Sequence, residues 1–244
     1  MNVEVLKLPL GFIRIVQLPF IIIAFASMGG WGIIISHTYS CVEKIVNTTS
    51  FAIDTFRLTS IDMTQNLCNN TGTVYLFDDG VSSSPGFFVF TGIVSLLFVL
   101  AMLAIYCFVW GMYESNNRVP MIDFVVTVVL TVFWFFGTIA WWSGAAAVGS
   151  LTDAAAIQKL LGEKVIPCNN ESGCPVTKDG GYGSLVISVF AGWACVLLFV
   201  ADCWFIYKET IWFRNRQLPP TITAPNPAAA ASPYSQQQSG GYIG

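Results

Sequence analysis

Four long apolar runs, at residues 15–35, 87–112, 121–147 and 185–207, alternate along the chain with polar segments. With a rise of 1.5 Å per residue, roughly 20 apolar residues cross a ~30 Å hydrocarbon core, so each run predicts a membrane-spanning helix. The middle pair is joined only by Tyr113-Glu114-Ser115-Asn116-Asn117-Arg118-Val119-Pro120. So short a link makes these helices antiparallel neighbours, and Pro120 suits a first helical turn, where its missing N–H costs little. Lys7 and Arg14 before the first run, with Ala24-Phe25-Ala26 inside it, have the order of a secretory leader. The run nevertheless continues to Ile35, beyond the roughly 7–15 residues of a leader's apolar core, and reads as span 1.

The predicted fold class is therefore an all-α membrane protein, a four-transmembrane-helix bundle. Residues 1–14 form its amino-terminal lead, 15–213 the four-span domain, 36–86 and 148–184 two long loops, and 113–120 the link. Residues 214–244, rich in Pro, Ala, Gln and Gly, have no apolar periodicity with which to build a core and read as a disordered tail. Thr73–Phe77 in the first loop has the composition of a short strand. Thr152–Leu161 in the second has that of a short helix capped by Thr152 or Asp153.

Charge sets the orientation. Lys7, Arg14, Arg118, Lys208, Arg214 and Arg216 flank one side of the spans, whereas the two long loops hold five Lys/Arg against nine Asp/Glu. The positive-inside rule then places both termini and the link in the cytosol and the loops in a lumen or outside the cell. Two further features agree. Cys41 and Cys68 fall in the first loop and Cys168 and Cys174 in the second, as expected of disulfides in an oxidising compartment. Pairing within each loop is the expected pattern, although four cysteines allow three connectivities. The acceptor tripeptides beginning at Asn47, Asn69 and Asn170 lie in the same loops, with Asn47 the best placed for glycosylation because the others adjoin cysteines.

Within the spans, Ser188, Gly192, Cys195 and Asp202 share one helical face, and Gly137, Ala140, Gly144 and Ala147 repeat at three-four spacing. Small residues let backbones approach where lipid gives apolar helices little reason to associate, so both stripes are expected at helix contacts, with Gly137, Gly144, Ser188 and Gly192 as the packing positions. Asp202, about 9 Å below Lys208, is the clear intramembrane charge and is expected to pair with Arg14 or Arg118. Asp123 is expected at the interface, complementing the positive end of span 3. His37 reads as an exposed interfacial histidine, with acid sensing as its alternative role. Trp31, Trp110, Trp141, Trp142, Trp204 and Trp212 lie near span ends and read as aromatic belts.

Composition then narrows the function. Of 244 residues, 55% are hydrophobic and 10% charged, and the net charge is −3, so neither a water-soluble domain nor a nucleic-acid-binding surface fits. One histidine and no visible nucleophile–base pair, metal cluster or phosphate loop leave an enzyme the weakest class; no cofactor is expected.

The sequence resembles the synaptophysin family, within the four-span MARVEL group. Pro9-Leu10-Gly11-Phe12, Phe56-Arg57-Leu58, Asn116-Asn117, Pro120-Met121, Asp123-Phe124, Trp204-Phe205 and Lys208-Glu209-Thr210 carry the resemblance, across residues 9–213. It implies a non-enzymatic protein of synaptic or other secretory vesicles with cytosolic termini and glycosylated, disulfide-bonded lumenal loops. It further implies self-association, cholesterol binding and a synaptobrevin-type vesicle SNARE as partner. The long tyrosine-rich repeat tail of the neuronal member is absent, and no family role carries over to Asp202. Two rival readings are an ion channel or transporter component using Asp202, and a cell-surface junction or adhesion tetraspan. The first loop lacks the tryptophan and cysteine pair of claudins, and neither loop has the Cys-Cys-Gly of tetraspanins.

Overall fold

The computed structural model describes residues 8–40, 46–54, 62–67, 70–75, 83–115, 118–164, 168 and 174–210. Among them, four helices are long and apolar enough to cross a membrane: α1 (Pro9–Gly29), α2 (Ser83–Phe108), α4 (Arg118–Leu151) and α6 (Gly183–Glu209). A short α3 (Trp110–Ser115) follows α2, and α5 (Ala154–Lys164) follows α4. The spans form a four-sided bundle in which α1 packs on α2 and α6, and α4 on the same two. One end of the bundle holds the α2–α4 link and the other holds a β-sheet.

That sheet revises the all-α expectation. Strands β1 (Gly32–Ser40), β2 (Val46–Asp54) and β5 (Val176–Asp179) pair antiparallel in the order β2-β1-β5, and β3 (Asp62–Leu67) pairs with β4 (Asn70–Tyr75) in a separate hairpin. The first helix accordingly begins at Pro9 and stops at Gly29, and Ile33–Ile35, counted in span 1 from the apolar run, belong to β1. Gly29-Gly30 gives up helix propensity where a β-branched run begins, and that run alternates: Ile33 and Ile35 are buried while Ile34 is exposed. Ile33, Ile35 and Ile53 join Ile157 and Leu161 of α5 in the apolar cluster that also holds Met28, Trp31, Val148 and Leu185. The sheet thus continues the bundle core beyond the helices.

The sheet end is drawn together at Tyr182. Its hydroxyl is 2.9 Å from Thr152 Oγ1 and donates to the Gly149 carbonyl at 3.2 Å, its ring stacks on Trp31, and Lys178 Nζ lies 4.1 Å above it. Thr152 donates to the Val148 carbonyl, so it closes α4 and does not cap α5, where the Ile157 N–H instead bonds the Asp153 carbonyl. Gly180 turns the chain from β5 toward α6 at φ +116°, and an added Cβ there would lie 2.9 Å from Ile33 Cγ2. Glycine meets both demands.

Indole N–H groups bind the middle of the bundle. Trp134 of α4 donates to Ser95 of α2 at 2.9 Å, and Trp141 donates to Ser188 of α6 at 2.8 Å. Phe88 lies against both indoles. Trp31 and Trp141 are therefore buried core residues and not belt residues, whereas Trp142 and Trp204 are exposed on the outer surface. Ala140 is also exposed, so the packing face of α4 runs through Leu130, Trp134, Gly137, Trp141, Gly144 and Val148. At Gly192 of α6 an added Cβ would lie 2.9 Å from Thr138 Oγ1 and 3.0 Å from Phe88. Gly192→Val should therefore force α6 off α4 and α2 and cost about 1–3 kcal/mol, read as a lowered melting temperature in detergent.

Candidate functional site

Six polar side chains, all fully or nearly fully buried, meet inside the link end of the bundle: Arg14, Gln17, Tyr106, Asp123, Thr127 and Asp202. Arg14 is their centre. Its Nη2 lies 2.7 Å from Asp123 Oδ1 and donates to Thr127 Oγ1 at 2.9 Å, while its Nη1 lies 2.9 Å from Asp202 Oδ2. The guanidinium carbon sits 5.0 Å from the centroid of the Phe98 ring. A side chain from α1 thus touches α2, α4 and α6 together.

Each carboxylate has its own setting. Asp123 Oδ2 accepts from the Tyr106 hydroxyl at 2.7 Å and from the Tyr113 hydroxyl at 3.2 Å, and Oδ1 accepts from Thr127 at 3.4 Å as well as from Arg14. Asp202 Oδ2 accepts from Gln17 Nε2 at 2.9 Å. Tyr106, Trp110 and Tyr113 pack as a ring cluster over this end. Removing charges from water is costly, and shared hydrogen bonds of this kind are what offset that cost.

Of the two candidate partners for Asp202, the structure places Arg14 beside it and Arg118 at the exposed start of α4. Asp123 is a correction. It is buried at the centre of the cluster and does not face the interface, because one α4 turn carries it inward beside Thr127. Gln17, Tyr106, Tyr113 and Thr127 were not singled out from the sequence. The signal in the sequence was the shared depth of the charges they bind: Arg14 and Asp123 each lie about five residues, roughly 8 Å, inside the link end of their helices, and Asp202 about seven.

Cys168 and Cys174 are disulfide-bonded. The expected Cys41–Cys68 bond, Asn69, Asn170, Trp212, residues 1–7 and the tail all lie outside the described residues. Asn47 is exposed on β2 opposite Tyr39. Ser188, Gly192, Cys195 and Asp202 all lie on the buried face of α6. At Gly137 an added Cβ would meet Phe87 at 3.4 Å, and at Gly144 it would meet Ser84 at 3.1 Å.

His37 is another correction. It is fully buried on the central strand β1, between Tyr39 and Phe51, and neither ring nitrogen has a hydrogen-bond partner. Burial holds its imidazole below the ordinary range near 6.5. Between the folded and unfolded values the unfolded chain binds the extra proton, so the sheet should lose stability as pH falls below about 6.5. Protection of β1 amides, taken relative to the intrinsic exchange rate at each pH, should fall from about pH 7 to about pH 5, and His37→Phe should remove that component.

Between α4 and α6, toward the sheet end, a lipid-facing apolar groove of about 340 Å³ is lined by residues that include Trp142, Ala146, Gly149, Val186, Phe190 and Trp193. Among the described residues no three His, Cys, Asp or Glu side chains are placed to hold a metal.

The geometry defines a class: a multi-span membrane protein whose helices are tied together by a buried polar cluster. Comparison with known families then assigns the chain. It matches the MARVEL membrane-associating domain over residues 5–205, and it belongs to that family. The family is a non-catalytic, membrane-organising module.

Proposed function

We propose that this chain is a synaptophysin-type protein of synaptic or other secretory vesicles, organising membrane lipid and partner proteins during vesicle formation, exocytosis and retrieval. The observation that carries this reading is where its resemblance motifs fall. Pro9-Leu10-Gly11-Phe12 opens α1, Asp123-Phe124 supplies the central carboxylate of the cluster, and Lys208-Glu209-Thr210 closes α6, where Thr210 Oγ1 donates to the Tyr207 carbonyl. These motifs build the scaffold, and the outer surface between them offers apolar side chains such as Phe136, Phe190 and Leu197.

In this reading the link end and both termini face the cytosol and the sheet end faces the lumen. The groove beside Trp142 and Trp193 takes cholesterol, whose rigid apolar rings suit a dry, aromatic-walled cleft. Exposed apolar helix faces support self-association, and a synaptobrevin-type SNARE is the expected protein partner. Immunogold labelling should place the chain on small vesicles, and plasma-membrane labelling alone would overturn the reading. A glycosidase should raise gel mobility, and Asn47→Gln should remove part of that shift. A photoreactive sterol should label the parent chain and lose most labelling in Ala146→Trp, which fills the groove.

A further inference from the structure

The buried cluster at the link end does not balance its own charge. It holds one guanidinium, Arg14, and two carboxylates, Asp123 and Asp202, all 0–1% exposed. Among the described residues, the remaining groups that face it are neutral donors and acceptors: Gln17 on α1, Tyr106 on α2, Tyr113 on α3, Thr127 on α4, and Cys203 on α6, which contacts Thr131. If both carboxylates were ionised the cluster would carry a net −1 inside the bundle, where an uncompensated charge is strongly disfavoured.

Hydrogen bonding says where the imbalance falls. Asp123 is met by donors on both oxygens, Arg14 and Thr127 at Oδ1 and Tyr106 and Tyr113 at Oδ2. Both Asp123 oxygens already face donors, so a proton placed on either would confront one. Asp202 differs. Its Oδ2 accepts from Gln17 Nε2 at 2.9 Å and forms an ion pair with Arg14 Nη1 at 2.9 Å, while its Oδ1 is buried without any partner.

We infer that Asp202 Oδ1 is a proton-binding site, and that the resting bundle carries one proton there. The neutral acid cancels the excess charge and leaves Oδ2 as a carbonyl that still accepts from Gln17, with Arg14 Nη1 beside it at 2.9 Å. A metal cation fits poorly, because it needs several oxygen ligands and here would find one beside a guanidinium. Arg14 and Gln17 belong to α1 and Asp202 to α6, so loss of the proton places a net charge on the α1–α6 seam. The link end of the bundle is thereby coupled to proton occupancy.

The test is infrared spectroscopy of the full-length chain in lipid nanodiscs at about pH 7. The parent should show a protonated-carboxyl C=O stretch, and Asp202→Asn should lack it. Absence from the parent, or persistence in the variant, overturns the assignment. Thermal unfolding gives a second readout. Asparagine mimics the neutral acid, so Asp202→Asn should melt within about 2 °C of the parent, whereas Asp123→Asn should melt about 10 °C lower. Equal, large losses in both would mean that both carboxylates are ionised and would overturn the proposal. So would parent stability that depends on sodium when choline replaces it at constant pH.

Discussion

Arg14→Met should lower the stability of the solubilised protein by about 3–5 kcal/mol, the usual cost of leaving a buried charge without its partner. For a chain of this size that is a melting temperature about 10 °C or more below the parent, read by fluorescence-detected size exclusion after heating. The reason is the reach of one side chain. Arg14 meets Asp123 and Thr127 on α4, Asp202 on α6 and Phe98 on α2, so its loss unties α1 from three helices. Asp123 would then be left among hydroxyls without its guanidinium partner. Adding Asp123→Asn to Arg14→Met removes that unpartnered carboxylate and should recover part of the loss, because deleting a buried pair costs less than breaking it. A shift under about 2 °C for the single variant would show that the bundle does not depend on this centre.

Trp134→Ala should cost a similar amount, about 3–5 kcal/mol, for a different reason. The indole is fully buried in the middle of the bundle, meets Phe88 edge-on with ring centroids 5.5 Å apart and Phe199 at 6.5 Å, and donates to Ser95. Alanine leaves a void bordered by α2 and α6, and lipid tails outside the bundle cannot fill it. Trp134→Phe should lose less, keeping most of the packing and giving up the hydrogen bond, which by itself is worth about 1 kcal/mol. Equal melting of the alanine and phenylalanine variants would show that the hydrogen bond, and not the volume, holds the two helices.

Particular residues show how far the chain could be read before its fold was known. The spans were legible because twenty-odd apolar residues in a row have few soluble explanations, and Asp202 was legible because a charge inside such a run stands out. Ile33–Ile35 misled for the same reason. An apolar run carries no information about whether it continues a helix or turns into a strand, and only the alternation into Ser36-His37-Thr38-Tyr39 marks the change. The burial of His37 is not written in that run either, because it follows from β2 and β5 closing on either side of β1. A carboxylate near a helix start suits the interface by default, and the inward turn of Asp123 depends on Arg14 arriving from a helix distant in sequence.

From sequence alone came the number of membrane crossings, their alternating direction, the cysteine-bearing loops and the carboxylate at depth in the fourth span. These rest on local quantities: the length of apolar runs, the shortness of a link and the spacing of residues along one helix. Tertiary structure decided that Arg14, Asp123 and Asp202 share one centre, that Trp31, Trp134 and Trp141 face inward, and that a sheet extends the core past the helices. Those outcomes depend on how each helix is rotated about its axis and which neighbour it meets. That rotation is set by the packing and hydrogen bonding of residues far apart in the chain, which no single apolar run records.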